Sequence, residues 1–235
     1  DLDVIVRQDE MAVDLLMDTD GRCAGALMLR ANGDAYVARA HATVIATGGV
    51  GQLFDRAFNP PDVTGDGYAL GLRAGAKLVN MEYLQMGIGI VLQGKPAIFQ
   101  YWLWGLRPRV FSPVEGEFLG RYLPLGFSLE SAMDLKATHY PFSSRDNSRF
   151  VDVGIQSFIN RQRDQGADDT VLLSLSRAEE TVAALPEDSN LRRMWPISKE
   201  FLTRMGIALD GVFQIAEFAH ASNGGLMIDR FGQTT

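Results

Sequence analysis

At 235 residues, 46% of them apolar and 22% charged, the chain is long enough to bury one substantial core or two smaller ones. Twenty-two Lys and Arg against 29 Asp and Glu leave a net charge of -7 and an isoelectric point near 5.0. That balance excludes nucleic acid and anionic lipid as principal partners, because phosphates are held by clustered cations. Cys23 is the only cysteine, which excludes an internal disulfide, a cysteine-rich zinc site and an iron-sulfur cluster.

No apolar run reaches the roughly 18 to 20 residues needed to span a bilayer, and no signal-peptide succession opens the chain. A soluble, cytoplasmic protein is expected. Asp1 begins inside a strand-like pattern without a methionine and Thr235 follows soon after another, so truncation at both ends is expected too.

In chain order, Val4-Ile5-Val6, Val13 to Met17, Ala24 to Leu29 and Tyr36-Val37 read as strands. The turns between them are Asp20-Gly21 and Asn32-Gly33, pairs that adopt positive φ at low cost and so favour antiparallel hairpins. Ala42 to Ala46 is a short continuous apolar run of the kind that fills a strand buried on both faces. Thr47-Gly48-Gly49-Val50-Gly51 follows it directly.

Beyond Thr64-Gly65-Asp66-Gly67, Leu70, Ala74 and Leu78 share a helical face over 68–78, with Thr64 or Asp66 as the cap. Residues 87–126 are rich in Gly, Pro and aromatics without a period, which predicts a crossing between domains. Helical patterns run over 144–158, 177–185 and 191–205, and Val212 to Phe218 is extended.

Glycines at 48, 49 and 51 behind a strand let backbone approach a ligand, and their amides suit a phosphate or a ring edge. The spacing is not that of the dinucleotide fingerprint, and a tight turn without a ligand explains the three glycines equally well. The Thr64–Gly67 turn likewise reads as a plain helix start.

Taken in order, Ala46 to Phe54, Asn59-Pro60, Thr64-Gly65-Asp66-Gly67, Arg73-Ala74-Gly75-Ala76 and Met81-Glu82-Tyr83-Leu84-Gln85 resemble the central segment of the fumarate reductase and succinate dehydrogenase flavoproteins, L-aspartate oxidase included. The resemblance implies FAD as cofactor and makes Thr47, Gly48, Gly49 and Asp66 its contacts. Arg145-Asp146 with Arg149 resembles the family's Arg-Asp-x-x-x-Arg, which makes Arg145 the proton-transfer arginine. A guanidinium ordinarily stays protonated, so that role needs a relay partner and a desolvated site.

His220-Ala221-Ser222-Asn223-Gly224-Gly225, with Asp229 beyond, resembles the segment that returns to the flavin domain. It implies His220 as a donor to a substrate carboxylate or carbonyl, and Gly224 and Gly225 as backbone close to the flavin. Read alone, a single histidine is more often structural. An Asp210-Gly211 pair before the strand also follows the family pattern.

The pattern breaks at Met86-Gly87-Ile88-Gly89, where the dicarboxylate enzymes carry Phe-His-Pro-Thr, and no counterpart of their Thr-Glu-Gly appears in 98–108. In its place stand Phe99, Tyr101, Trp102, Trp104, Arg107 and Arg109, which suit either an aromatic pocket with a cation or core packing and surface charge.

The expected architecture is α/β: the carboxyl-terminal part of a Rossmann-like FAD-binding domain with an antiparallel β-meander, plus an α+β capping domain. Bounds of 1–85, 86–210 and 211–235 follow, with hinges near 86–126 and 206–216. The expected activity is FAD-dependent hydride transfer to or from an activated C–C bond of a small molecule, a carboxylic acid or enone, with an electron-transfer partner and no metal. The alternatives are an inactive module serving assembly and a branch acting on larger enones or amino acids.

Overall fold

The computed structural model describes residues 3–92, 96–209 and 211–234. In chain order the elements are β1 (Glu10–Met17), β2 (Cys23–Arg30), β3 (Ala35–Arg39), α1 (Asp66–Arg73), β4 (Leu78–Val79), β5 (Leu84–Ile90), β6 (Ala97–Ile98), β7 (Arg109–Ser112), β8 (Gly116–Glu117), α2 (Leu129–Lys136), α3 (Arg149–Asp164), β9 (Val171–Ser174), α4 (Ala178–Ala184), α5 (Asn190–Arg204), β10 (Val212–Ser222) and β11 (Gly225–Leu226). They divide into two compact units, one of Asp1–Leu53, Pro60–Leu84 and Ala221–Thr235, the other of Phe54–Asn59 and Gln85–His220.

In the first unit β1, β2 and β3 form the expected antiparallel meander. Gly21 (φ 75°) and Gly33 (φ 90°) occupy the left-handed positions that its two turns require. Helix α1 is shorter than its pattern. It ends in a Schellman arrangement, Gly75 N–H donating to Leu72 C=O and Ala76 N–H to Gly71 C=O, so Leu78 passes into β4. Neither Thr64 nor Asp66 caps it: the N-cap is Gly65, and the Thr64 hydroxyl donates to the Asp66 carboxylate instead.

Two expected strands are absent. Val4 to Val6 and the run 42–46 lie outside every strand, and Val44 is 88% exposed. An apolar run becomes a buried strand only when a neighbouring ladder takes up its amides and carbonyls, and none lies alongside it among the described residues.

The second unit is built on a six-stranded sheet in the order β6-β5-β10-β9-β7-β8, packed by α2, α3 and α5 around one core. The stretch 87–126 is the largest departure from the sequence reading. Rather than a loose connection it is core: Phe99, Leu103, Trp104, Val110, Phe118 and Leu119 are each at most 3% exposed and form the heart of the second unit. Beyond the end of β5 its strands are two to four residues long and its helices are short 3-10 segments, too short to show a hydrophobic period.

Helix α2, unmarked in the sequence reading, starts at Ser128, whose hydroxyl accepts from Ser131 N–H at 3.1 Å. Asp210 lies outside the described residues.

Candidate functional site

In the first unit the two glycine segments, some 170 residues apart in sequence, are brought together. Ser222 Oγ accepts from Val50 N–H at 3.1 Å. A Cβ at Gly49 would lie 2.5 Å from that same oxygen, so a side chain there would displace the hydroxyl from its bond. The Thr64–Gly67 turn locks in by the same means: a Cβ at Gly67 would sit 2.0 Å from Thr47 Oγ1, and one at Gly65 2.7 Å from Val50 Cγ1.

On the return strand, a Cβ at Gly224 would meet Asn80 C=O at 2.2 Å, and Tyr68 Oη donates to Gly224 C=O at 3.1 Å. Gly225 and Leu226 pair with Val79 and Leu78. Much of the glycine content is thus set by protein against protein.

Gly48 differs. It is exposed, its φ is 76°, and an added Cβ would meet nothing closer than Val63 Cγ1 at 3.4 Å. The backbone at Thr47 and Gly48 is open, and Asp66 is exposed in the first turn of α1. Beside them a cavity of about 1110 Å³ is lined by Thr43 to Gly48, Tyr68, Gly71 and Leu226. Accessible amides of a left-handed glycine turn, a helix start and an adjoining cavity suit a flavin nucleotide, whose phosphates and ring edges accept hydrogen bonds. The residues present fit FAD.

The two residues expected to do chemistry both lie in the second unit. His220, on β10, is held edge-on between Tyr140 (ring centroids 5.3 Å) and Phe58 (6.2 Å), and its buried Nδ1 has no hydrogen-bond partner among the described residues. Arg145 sits on an exposed turn before α3, not within the helix. Among the described residues its guanidinium has no hydrogen bond. Its neighbours are better anchored: Asp146 Oδ1 accepts from Ser148 N–H at 2.7 Å, which holds its carboxyl below the usual range, and Arg149 donates to Ser144 C=O at 2.8 Å.

Position 87 carries no side chain, and the space is filled from elsewhere. A Cβ there would lie 2.4 Å from Tyr140 Oη, a hydroxyl that burial holds protonated and that has no partner among the described residues.

A buried charge cluster lies nearby in the same unit. Lys136 Nζ contacts Asp152 Oδ1 at 2.6 Å, both side chains being at most 4% exposed. Glu217 is 7% exposed, neither carboxylate oxygen is bonded among the described residues, and burial, reinforced by Asp152, raises its pKa well above the usual range. The sequence reading singled out none of Ser222, Tyr140 or Glu217 as functional; the signal available for Glu217 was an acid in the middle of an apolar strand.

The aromatic stretch resolves into packing. Phe99 and Trp104 are core, and Trp102 Nε1 donates to Ser198 Oγ at 2.8 Å. Arg107 pairs with Glu130 and Asp134, and Arg109 with Glu117, on the wall of a second cavity of about 1030 Å³. With its cations paired, that cavity is a poor anion site.

An open glycine turn, an adjoining cavity and a helix start are features that accommodate a nucleotide cofactor. Residues 1–99 match the family model for the FAD binding domain. The chain is 28% identical to the L-aspartate oxidase of Streptomyces coelicolor over 242 residues, covering 97% of this chain and 36% of that protein. Among solved structures it resembles Mycobacterium smegmatis Sdh1 in complex with UQ1 (TM-score 0.63, 24% identity, 94% of this chain and 33% of that one). It also resembles a quinol-fumarate reductase with menaquinol molecules (TM-score 0.62, 23% identity, 96% and 37%).

Residues 1–99 thus carry part of an FAD binding domain, which makes FAD the cofactor, and the chain is similar to flavoproteins of the fumarate reductase and succinate dehydrogenase type, L-aspartate oxidase included. It spans about a third of the length of these relatives. Among the described residues no helix is long and apolar enough to cross a membrane, and no cluster of side chains could hold a metal ion.

Proposed function

We propose that the whole protein is an oxidoreductase that moves a hydride between FAD and an activated C–C bond of a small organic substrate, passing electrons to a separate partner. The observation that carries this reading is the bond from Val50 N–H to Ser222 Oγ, which joins the two glycine segments around an open turn. FAD, when bound, supplies the hydride chemistry. Thr47, Gly48 and Gly49 hold it with Asp66, and Gly224 and Gly225 present backbone to it. The FAD-binding part comprises 1–85 and 211–235, and 86–210 is the capping part.

His220 binds a substrate carboxylate or carbonyl. Its edge-on contacts with Phe58 and Tyr140 restrict the ring, so its nitrogens keep one direction. Arg145 handles the proton on the neighbouring carbon. Gly87 supplies no ligand, so the substrate is other than simple fumarate or succinate.

The exposure of Arg145 and its lack of an acidic partner favour a second reading, an inactive module with a role in assembly. An absorbance spectrum of the purified full-length gene product separates the two. Oxidised-flavin bands that bleach on reduction and return with an acceptor are expected; a colourless protein that FAD cannot reconstitute overturns the first reading in favour of the second.

A further inference from the structure

We infer that Ser222 is a positioning residue of the cofactor site, one that sets the geometry of the Thr47–Gly51 turn from the far end of the chain. The inference rests on the flavin reading above and deepens it. A left-handed glycine turn has few internal constraints, because glycine admits more backbone conformations than any other residue. Gly48 and Gly49 therefore need an external anchor to present their amides in one direction, and a preorganised set of donors is worth far more to a bound ligand than a floppy one.

Ser222 supplies that anchor twice. Its hydroxyl oxygen accepts from Val50 N–H at 3.1 Å, and it stands where a Cβ of residue 49 would go, 2.5 Å from that point, so the turn is held both by a bond and by contact. No other hydrogen bond of Val50 N–H occurs among the described residues.

An anchor works only if it is itself fixed, and the strand beyond Ser222 is pinned on successive residues. Asn223 N–H donates to Tyr83 C=O at 2.9 Å, Tyr68 Oη to Gly224 C=O at 3.1 Å, and Met227 N–H to Lys77 C=O at 2.7 Å. Gly224 packs so tightly on Asn80 that no side chain fits. Residues 77–83 thus hold the strand, the strand holds Ser222, and Ser222 holds the turn. The oxygen is required: alanine keeps the Cβ yet leaves Val50 N–H without a partner in a partly buried place.

The test is Ser222→Ala in the full-length protein, read by FAD titration, flavin absorbance and reduction potential. Expected are a dissociation constant raised about tenfold, in line with one lost hydrogen bond, and a displaced potential, because the turn amides no longer face the ring as before. A purely structural serine would lower thermal stability and leave the potential of the bound flavin in place.

Native affinity and native potential in the variant overturn the inference while leaving the flavin reading intact. Failure of the unmodified protein to take up FAD overturns both. Should the variant not fold, amide exchange of Val50 in the native protein decides. Slow exchange without FAD, slowed further with it, supports the anchor, and free exchange in both states overturns it.

Discussion

The two units of this chain bury their apolar residues very differently. Every member of the large core cluster, from Ile88 to Ile215, lies in the second unit, whereas the first buries little beyond Ala26 and Leu70 and leaves Val4, Ile5, Val6 and Val44 at least 70% exposed. The second unit carries its own hydrophobic driving force. The first is held by hairpin ladders, glycine contacts and a few directed hydrogen bonds, and its apolar runs at 4–6 and 42–46 have no ladder alongside them among the described residues. A candidate cofactor site can therefore be locally well built within a unit that has little core of its own.

That contrast can be broken most sharply in the second unit. Lys136→Met leaves Asp152 buried without its cation beside an acid that has no partner either. A loss of about 3–5 kcal/mol is expected, seen as a lower denaturant midpoint, while the meander signals of the first unit stay in place. If the midpoint does not move, the cluster is not the closed, dry site described.

Gly224→Ala is the matching test in the first unit. The added methyl meets Asn80 C=O, so the return strand must shift, at about 1–3 kcal/mol, and flavin retention should fall with no change in the core of the second unit. Unchanged retention would separate that strand from the cofactor site.

A third test uses pH. Burial makes Glu217 hold its proton in the folded state well above the usual carboxylate range. Above the ordinary glutamate value of about 4.3, the folded chain then keeps a proton that the unfolded chain releases, so stability is greatest below that value and falls as pH rises toward the raised one. Lys136, Asp152 and Tyr140 share this environment. Glu217→Gln should flatten that slope and raise stability at neutral pH by about 1–3 kcal/mol; a slope equal to that of the native protein removes Glu217 as its cause.

The smallest effect is expected at Val44. At 88% exposure, Val44→Thr should change the stability of these 235 residues by no more than about 0.5 kcal/mol. A large loss on thermal melting would mean that the run is already packed.

How much was legible follows from how local the cause is. The meander could be read because Asp20-Gly21 and Asn32-Gly33 mark turns on their own, and helix α5 because its apolar spacing repeats over several turns. The helix at 149–164 began later than its pattern, since Asp146 and Ser148 form a turn first. The stretch 87–126 was not legible at all: its strands and 3-10 turns are shorter than any period, and only packing reveals that Phe99 and Trp104 are core.

Sequence by itself pointed to the flavoprotein resemblance and to FAD, because the glycine turn, the Thr64–Gly67 turn and the His220–Gly225 segment are short motifs that can be recognised without knowing what packs on them. It also determined, through Gly87, that a side chain is missing at that position. Tertiary structure alone decided what each glycine is for: Gly49, Gly67 and Gly224 make room for Ser222, Thr47 and Asn80, while Gly48 leaves its backbone open. It alone set Tyr140 against Gly87 and gave Glu217 a site without a partner. The physical reason is the same throughout: backbone conformation is a property of a few adjacent residues, whereas steric room and desolvation belong to whatever the fold brings alongside.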